Sequence, residues 1–200
     1  MPWGCVDLTE EAKFIMSAFE SSAPERVLDV GVGFGSFGMA YRAVQLRMGT
    51  LVGKEQWFSH ADLMKREKWE GVLDGIDAMD YSASPGWLFY NKVTVGDALG
   101  TLAAIDADAY DVVVANDIIE HFTPDQALLF ARELQRVARS VVLVGYPLTV
   151  REIGDEGLEA HRVVADPQTI LSGFTHRVNL NDGWALSFKL LPGLRGARSR

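Results

Sequence analysis

Between Arg26 and Gly38 the chain reads RVLDVGVGFGSFG, an apolar run that breaks into Gly31, Gly33, Gly35 and Gly38 just where a helical pattern begins at Ser36. Glycine lets the backbone adopt left-handed dihedrals and approach a ligand closely, and the N-terminus of the following helix offers N–H groups without intrahelical partners. A strand, a glycine turn and a helix in that order form a nucleotide-binding turn, whose ligand sits beyond the carboxyl ends of the strands of an open α/β sheet. The loop reads in two registers. Gly33, Gly35 and Gly38 fit the dinucleotide spacing, whereas Asp29, Gly31, Gly33 and Gly35 fit Asp-X-Gly-X-Gly-X-Gly.

The rest of the chain alternates short apolar runs with longer amphipathic stretches, the pattern of a parallel sheet with helices on its faces. Leu8, Ala12, Ile15, Met16 and Phe19 recur at helical spacing and predict a helix over 8–21, ended by Pro24. After strand 26–30 and helix 36–48, further strands are expected over 71–77, 92–95, 111–115 and 140–144. Thr123, Pro124 and Gln126 supply a cap, a first helical residue and a capping-box partner. Ala127, Phe130, Ala131, Leu134, Val137 and Ala138 form the inner stripe of that helix. Asp166-Pro167 opens another helix ending near Gly173, and Asn181-Asp182-Gly183 is a hairpin turn between strands over 174–180 and 184–191. The order is a helix, five β/α units and a terminal hairpin, read as one domain over 1–200. Its one oversized connection is 49–70.

Composition narrows the classes of function. A chain of 200 residues that is 48% hydrophobic and 23% charged is globular rather than disordered. Cys5 is the only cysteine, which excludes an intramolecular disulfide and a Cys-based zinc cluster. Lys+Arg 19 against Asp+Glu 27 gives a net charge of -8 and argues against a general nucleic-acid binder. The longest apolar stretch, 141–148, contains Gly145 and Pro147 and is too short to cross a bilayer. The N-terminus carries Asp7, Glu10 and Glu11 in place of an export signal, so a cytoplasmic protein without membrane attachment is expected.

Electrostatics separates the two loop registers. A carboxylate at Asp29 repels a pyrophosphate and favours a ligand with a cationic aminoacyl sulfonium end, which is S-adenosylmethionine rather than NAD. Here the chain resembles the class I S-adenosylmethionine-dependent methyltransferases. Asp29, Gly31, Gly33 and Gly35 look like that family's first motif, and three further segments match it in order. Gly75-Ile76-Asp77 ends the second strand, where the family places an acid on the ribose hydroxyls. Val95-Gly96-Asp97-Ala98 follows the third strand, where an acid and the next backbone N–H hold the adenine. Residues 111–122 (DVVVANDIIEHF) look like the fourth-strand segment, which often ends in Glu-His. The resemblance spans about 26–147. It implies a three-layer Rossmann-like sandwich, with a mostly parallel seven-stranded sheet and an antiparallel C-terminal hairpin strand. The insertion at 49–70 lengthens the spacing to Asp77, so Asp74 and Asp80 are alternatives for the ribose role.

Methyl transfer is an in-line displacement for which the cofactor carries the reactivity and the protein positions the acceptor. Removing a proton from a hydroxyl or ammonium acceptor suits histidine. His121, just past the fourth strand beside Glu120, is a base or acceptor-positioning residue, or else a cap or packing residue for the Thr123 helix. His161, in the loop after the fifth strand, borders the acceptor pocket in the resembling family. His60 and His176 read as surface or hairpin residues. Asn116 and Asp117 end the fourth strand, as pocket lining or as an ordinary helix cap. No metal is expected, since Asp117, Glu120 and His121 form one cluster without a second ligand segment.

Trp57, Ala61 and Met64 fall near helical spacing within the insertion, which suits an amphipathic lid or a dimer contact better than a nucleic-acid surface. The leading expectation is a methyltransferase acting on an O or N atom of a small-molecule acceptor. The alternatives are an NAD(P)-dependent oxidoreductase, opposed by Asp29 and by the lack of a Tyr-X-X-X-Lys pair, and a non-catalytic S-adenosylmethionine-binding protein. The residues leave the oligomeric state open, a homo-oligomer included.

Overall fold

The computed structural model describes residues 24–51, 64–147, 170–174, 176–179 and 184–191. The helix expected over 8–21, His60, His161, the Asp166-Pro167 start of the last predicted helix and the Asn181-Asp182-Gly183 turn lie outside the described residues. The first strand, β1, spans Arg26–Val30, and helix α1 spans Ser36–Leu51. Then come β2 (Val72–Asp77), β3 (Lys92–Val95), the short helix α2 (Ala98–Ala103), β4 (Tyr110–Asn116), α3 (Pro124–Val137), β5 (Ala138–Pro147), β6 (His176–Asn179) and β7 (Trp184–Leu190). Three 3-10 turns, Arg66–Lys68, Pro85–Phe89 and Ile119–His121, complete the described elements.

The seven strands form one sheet in the order β3-β2-β1-β4-β5-β7-β6. Neighbours from β3 through to β5 pair in parallel, and β7 is antiparallel to both β5 and β6. Of the two hairpin strands, β7 therefore runs against the sheet and β6 runs with it. The central position of β4 follows from its sequence: Val112, Val113, Val114 and Ala115 are at most 1% exposed, as a strand covered on both faces requires. Alternate residues feed two cores. Leu28, Val30, Val113 and Ala115 pack with α2 and α3, while Val27, Val112 and Val114 pack with Phe37 and Tyr41 of α1. From β1 the chain goes to β2 and β3 on one side, then crosses to β4 and β5 on the other. The switch point lies between β1 and β4, the place where open α/β sheets bind ligands.

The capping box forms as the sequence predicts: Thr123 accepts from the Gln126 N–H, and Gln126 reaches back to the Thr123 N–H. Three local expectations change. Helix α1 continues to Leu51, three residues past the predicted end. Ala138, assigned from periodicity to the helical stripe, is the first residue of β5, because α3 passes into the strand without an intervening loop. The β2–β3 connection carries no α-helix. Pro85 and Gly86, poor helix-interior residues, give only the 3-10 turn Pro85–Phe89, capped by Ser84. Helix α2, expected from the β/α order but given no bounds from sequence, fills the short β3–β4 connection and is capped by Asp97.

The lid expected from 49–70 rests on residues 52–63, outside the described residues. The described end of that insertion leads into the N-terminal end of β2, where the Val72 N–H donates to Glu25 O, at the sheet edge opposite the glycine turn. There Trp69 lies under the Arg42 guanidinium, 4.2 Å from ring centroid to Cζ.

Candidate functional site

At the carboxyl end of β1 the chain turns through Gly31, Gly33 and Gly35, with φ of 88°, 52° and 84°. These are left-handed values that a side chain resists, so the glycines fix the shape of the turn. The Gly31 N–H donates to Ile76 O (2.9 Å), which ties the turn to the end of β2. Asp77, at the same end of β2, accepts from the Gly33 N–H (2.7 Å) and from the Met79 N–H (2.8 Å). Asp74 and Asp80 stand elsewhere. Asp74 accepts from the Tyr110 hydroxyl (2.9 Å), and Asp80 holds the Ser82 N–H in the exposed turn beyond. Among the three acids considered, Asp77 is the one joined to the glycine loop.

Asp29 lies beneath the turn, 3% exposed. Its Oδ2 accepts from the Tyr90 hydroxyl at 2.5 Å, and that hydroxyl accepts from the Gly38 N–H at 3.1 Å. Burial pushes the Asp29 carboxyl up to about 7; the Tyr90 bond opposes the rise and the nearby Asp77 adds to it. Read from sequence, Asp29 is a bare charge. Buried as it is, Asp29 shares the acidity of the loop with Asp77 and does not supply it alone.

The segment 84–90 straps the loop from outside, and sequence reasoning missed it. The Ser84 hydroxyl donates to Phe34 O (2.7 Å), and the Trp87 indole N–H donates to Gly33 O (2.8 Å). Gly35 and Gly86 meet backbone to backbone: a Cβ on Gly86 would stand 2.0 Å from Phe34 O, and one on Gly35 would stand 2.5 Å from the Gly86 carbonyl carbon. The Ser-Pro-Gly-Trp run carries turn-forming residues, but nothing local says that its partner lies 50 residues earlier.

The facing wall comes from β4 and the turn after it. A Cβ on Gly31 would lie 3.3 Å from Asn116 O and 3.4 Å from the Ile118 Cβ, so the glycine is what lets the two walls approach. Asn116 pairs with Gly145 of β5, and both polar atoms of its amide are buried without a hydrogen-bond partner. Asp117 follows with φ 53°, a left-handed value that Asp tolerates better than most residues. Glu120 is 0% exposed, and its carboxyl meets that of Asp117. Burial, with the Asp117 carboxyl beside it, raises its pKa well above the usual carboxylate range. His121 ends the turn Ile119–His121, half-buried at the same edge. It is not the cap of α3, a part that Thr123 takes.

At the end of β3 the Gly96 N–H donates to Asp77 O (2.8 Å), joining the third strand to the same edge. Asp97 is exposed and caps α2 through the Gly100 N–H (2.7 Å), and Ala98 opens that helix. Of the residues singled out from sequence, Asp29, Gly31, Gly33, Gly35, Asp77, Asp97, Ala98, Asn116, Asp117 and His121 all lie at the carboxyl ends of β1 to β4. His161 lies outside the described residues.

No family model matches this chain and no curated protein resembles it significantly. Solved structures do. Magnesium protoporphyrin IX methyltransferase from Synechocystis PCC 6803, with bound SAH, is 16% identical over 90% of this chain and 82% of its own, with a TM-score of 0.54. A SAM-dependent methyltransferase from Aquifex aeolicus is 16% identical over 92% of this chain and 90% of its own (TM-score 0.55). One from Archaeoglobus fulgidus is 15% identical over 90% and 94% (TM-score 0.54). The chain thus has the class I methyltransferase fold, a three-layer α/β sandwich on a mostly parallel seven-stranded sheet.

Proposed function

We propose that this protein is an S-adenosylmethionine-dependent methyltransferase acting on an O or N atom of a small-molecule acceptor. The observation that carries this reading is one glycine turn at the switch point of the fold, with Asp77 bonded to its Gly33 N–H and Asp29 buried two residues before Gly31. Two buried acids beside the turn disfavour a pyrophosphate and suit a cationic ligand. The residues fit such a cofactor. The orphaned Asn116 amide offers unmet hydrogen bonds, and a Cβ at Gly31 would narrow the cleft between the two walls.

In this reading Gly31, Gly33 and Gly35 cradle the aminoacyl end of the cofactor, and Asn116 and Asp117 line the opposite wall. Asp77 holds the ribose hydroxyls, while Asp97 and the Ala98 N–H hold the adenine. The bound cofactor supplies an electrophilic methyl group on a sulfonium. The chain's own part is to align the acceptor and accept its proton, for which His121 is the first candidate and His161 the second. The net charge of -8 supports a small acceptor over a nucleic acid. Among the described residues no helix is long and apolar enough to cross a membrane.

Calorimetric titration with S-adenosylhomocysteine and separately with NADH tests the reading. Binding of the first alone is expected, and tight NADH binding would overturn it. Asp77→Ala is expected to weaken S-adenosylhomocysteine about 10–100-fold, the worth of a charged hydrogen-bond partner. Unchanged affinity would remove Asp77 from the site.

A further inference from the structure

We propose that Tyr90 is a positioning residue that holds Asp29 ready for the cationic end of the cofactor, so that cofactor binding is coupled to release of the Asp29 proton. The inference rests on the methyltransferase reading and concerns how the same site is tuned. Three elements converge on the Tyr90 hydroxyl: it donates to Asp29 of β1 and accepts from the Gly38 N–H of α1, while its own segment straps the glycine turn. The ring is 1% exposed and fits because two facing positions lack side chains. A Cβ on Gly38 would stand 2.3 Å from the ring, and one on Gly75 of β2 would stand 3.2 Å from it. A phenol this closely housed has one orientation for its oxygen, and that orientation points at Asp29.

The chemistry follows from what surrounds the pair. Tyr90 and Asp77 are the groups that act on Asp29; Asp29, Asp77 and Arg42 act on Tyr90. Burial and the adjacent Asp29 carboxyl push the Tyr90 hydroxyl well above its usual range, so it stays a donor throughout the neutral region. The proton that moves is therefore on Asp29, whose carboxyl burial has pushed up to about 7. A cation arriving at the turn favours the ionised carboxylate and expels this proton to solvent, while the Tyr90 O–H stabilises the charge left behind. Without the phenol, Asp29 holds its proton more tightly and the ligand must work against it.

The test is calorimetric titration with S-adenosylhomocysteine, which carries an ammonium at that end, from pH 6 to 8.5 in two buffers of different ionisation enthalpy. In the wild type, affinity is expected to rise about fourfold from pH 6.5 to 8.5, with a proton released at the lower pH, since only the ionised fraction is competent. Tyr90→Phe keeps the ring in its slot and is expected to move the midpoint to higher pH, giving about a tenfold or greater rise over the same span. Asp29→Asn is expected to abolish the pH dependence whatever its affinity, and it carries the test if the Tyr90 variant does not fold. Wild-type binding that is independent of pH, an unmoved midpoint in Tyr90→Phe, or a pH dependence surviving in Asp29→Asn each overturns the coupling and leaves the cofactor assignment standing. Absence of any S-adenosylhomocysteine binding overturns both.

Discussion

Asp29→Asn is expected to make the ligand-free protein more stable at pH 8 and, at the same time, to weaken S-adenosylhomocysteine binding by about tenfold or more, the scale of a lost charged contact. The sign of the stability change comes from burial. Asp29 titrates near 3.8 in the unfolded chain and at about 7 in the fold. Below about pH 4 both states are protonated and the group contributes nothing. Between about 4 and 7 the native state keeps a proton that the unfolded state has lost, so stability falls as pH rises through that window and is lowest above it. Asparagine keeps an oxygen for the Tyr90 hydroxyl and has no charge to bury. Its gain at pH 8 is expected to be about 2–4 kcal/mol, read as a rise in Tm of about 5–10 °C, and to vanish near pH 4. Thermal melts at pH 4 and pH 8 check this; equal shifts at both would mean that ionisation of Asp29 is not the source.

Arg42→Leu is expected to destabilise by about 3–5 kcal/mol, because it leaves buried acceptors without donors and removes a well-packed side chain. Arg42 is 0% exposed on α1, yet its guanidinium makes no bond to a carboxylate in the described structure. It donates instead to Phe89 O (3.1 Å), Asn91 Oδ1 (2.6 Å) and Gln45 Oε1 (2.7 Å), and stacks on Trp69. Burial pulls its pKa down to about 10, so the charge persists at neutral pH. Phe89 and Asn91 mark the end of the strap and the start of β3, so the substitution is expected to loosen the segment that clamps the glycine turn. Arg42→Lys is expected to rescue little, since an ammonium cannot reproduce the planar fork. Denaturant melts measure the loss; a change under about 1 kcal/mol would mean that packing alone holds the strap.

The parts legible in the sequence are those governed by neighbours along the chain. The solid apolar run of β4, the Thr123-Pro124-Gln126 cap and the glycines after Val30 each carry their physical cause within a few residues. Where periodicity misled, a boundary was at stake: Ala138 fits the helical stripe of α3 but begins β5, and both environments bury a small residue equally well. The β2–β3 connection was misread for a different reason. A 3-10 turn at Pro85–Phe89 makes sense only against the glycine loop it touches.

Asp29 shows the same division within one side chain. Its position two residues before Gly31 puts it beside the glycine turn, and a carboxylate there argued for a cationic ligand. The depth of its burial, and the phenol that meets it from 61 positions away, turn that fixed charge into a titrating one near neutrality.

From its residues alone the chain specified an α/β sheet, the glycine turn after its first strand, and the acids at the ends of the first three strands, because each depends on local backbone chemistry and on the period of burial. Tertiary contact decided which of Asp74, Asp77 and Asp80 reaches the loop, what holds the loop in shape, and how readily Asp29 gives up its proton. Those outcomes depend on distances across the sheet and on exclusion of water, and neither exists until the chain has folded.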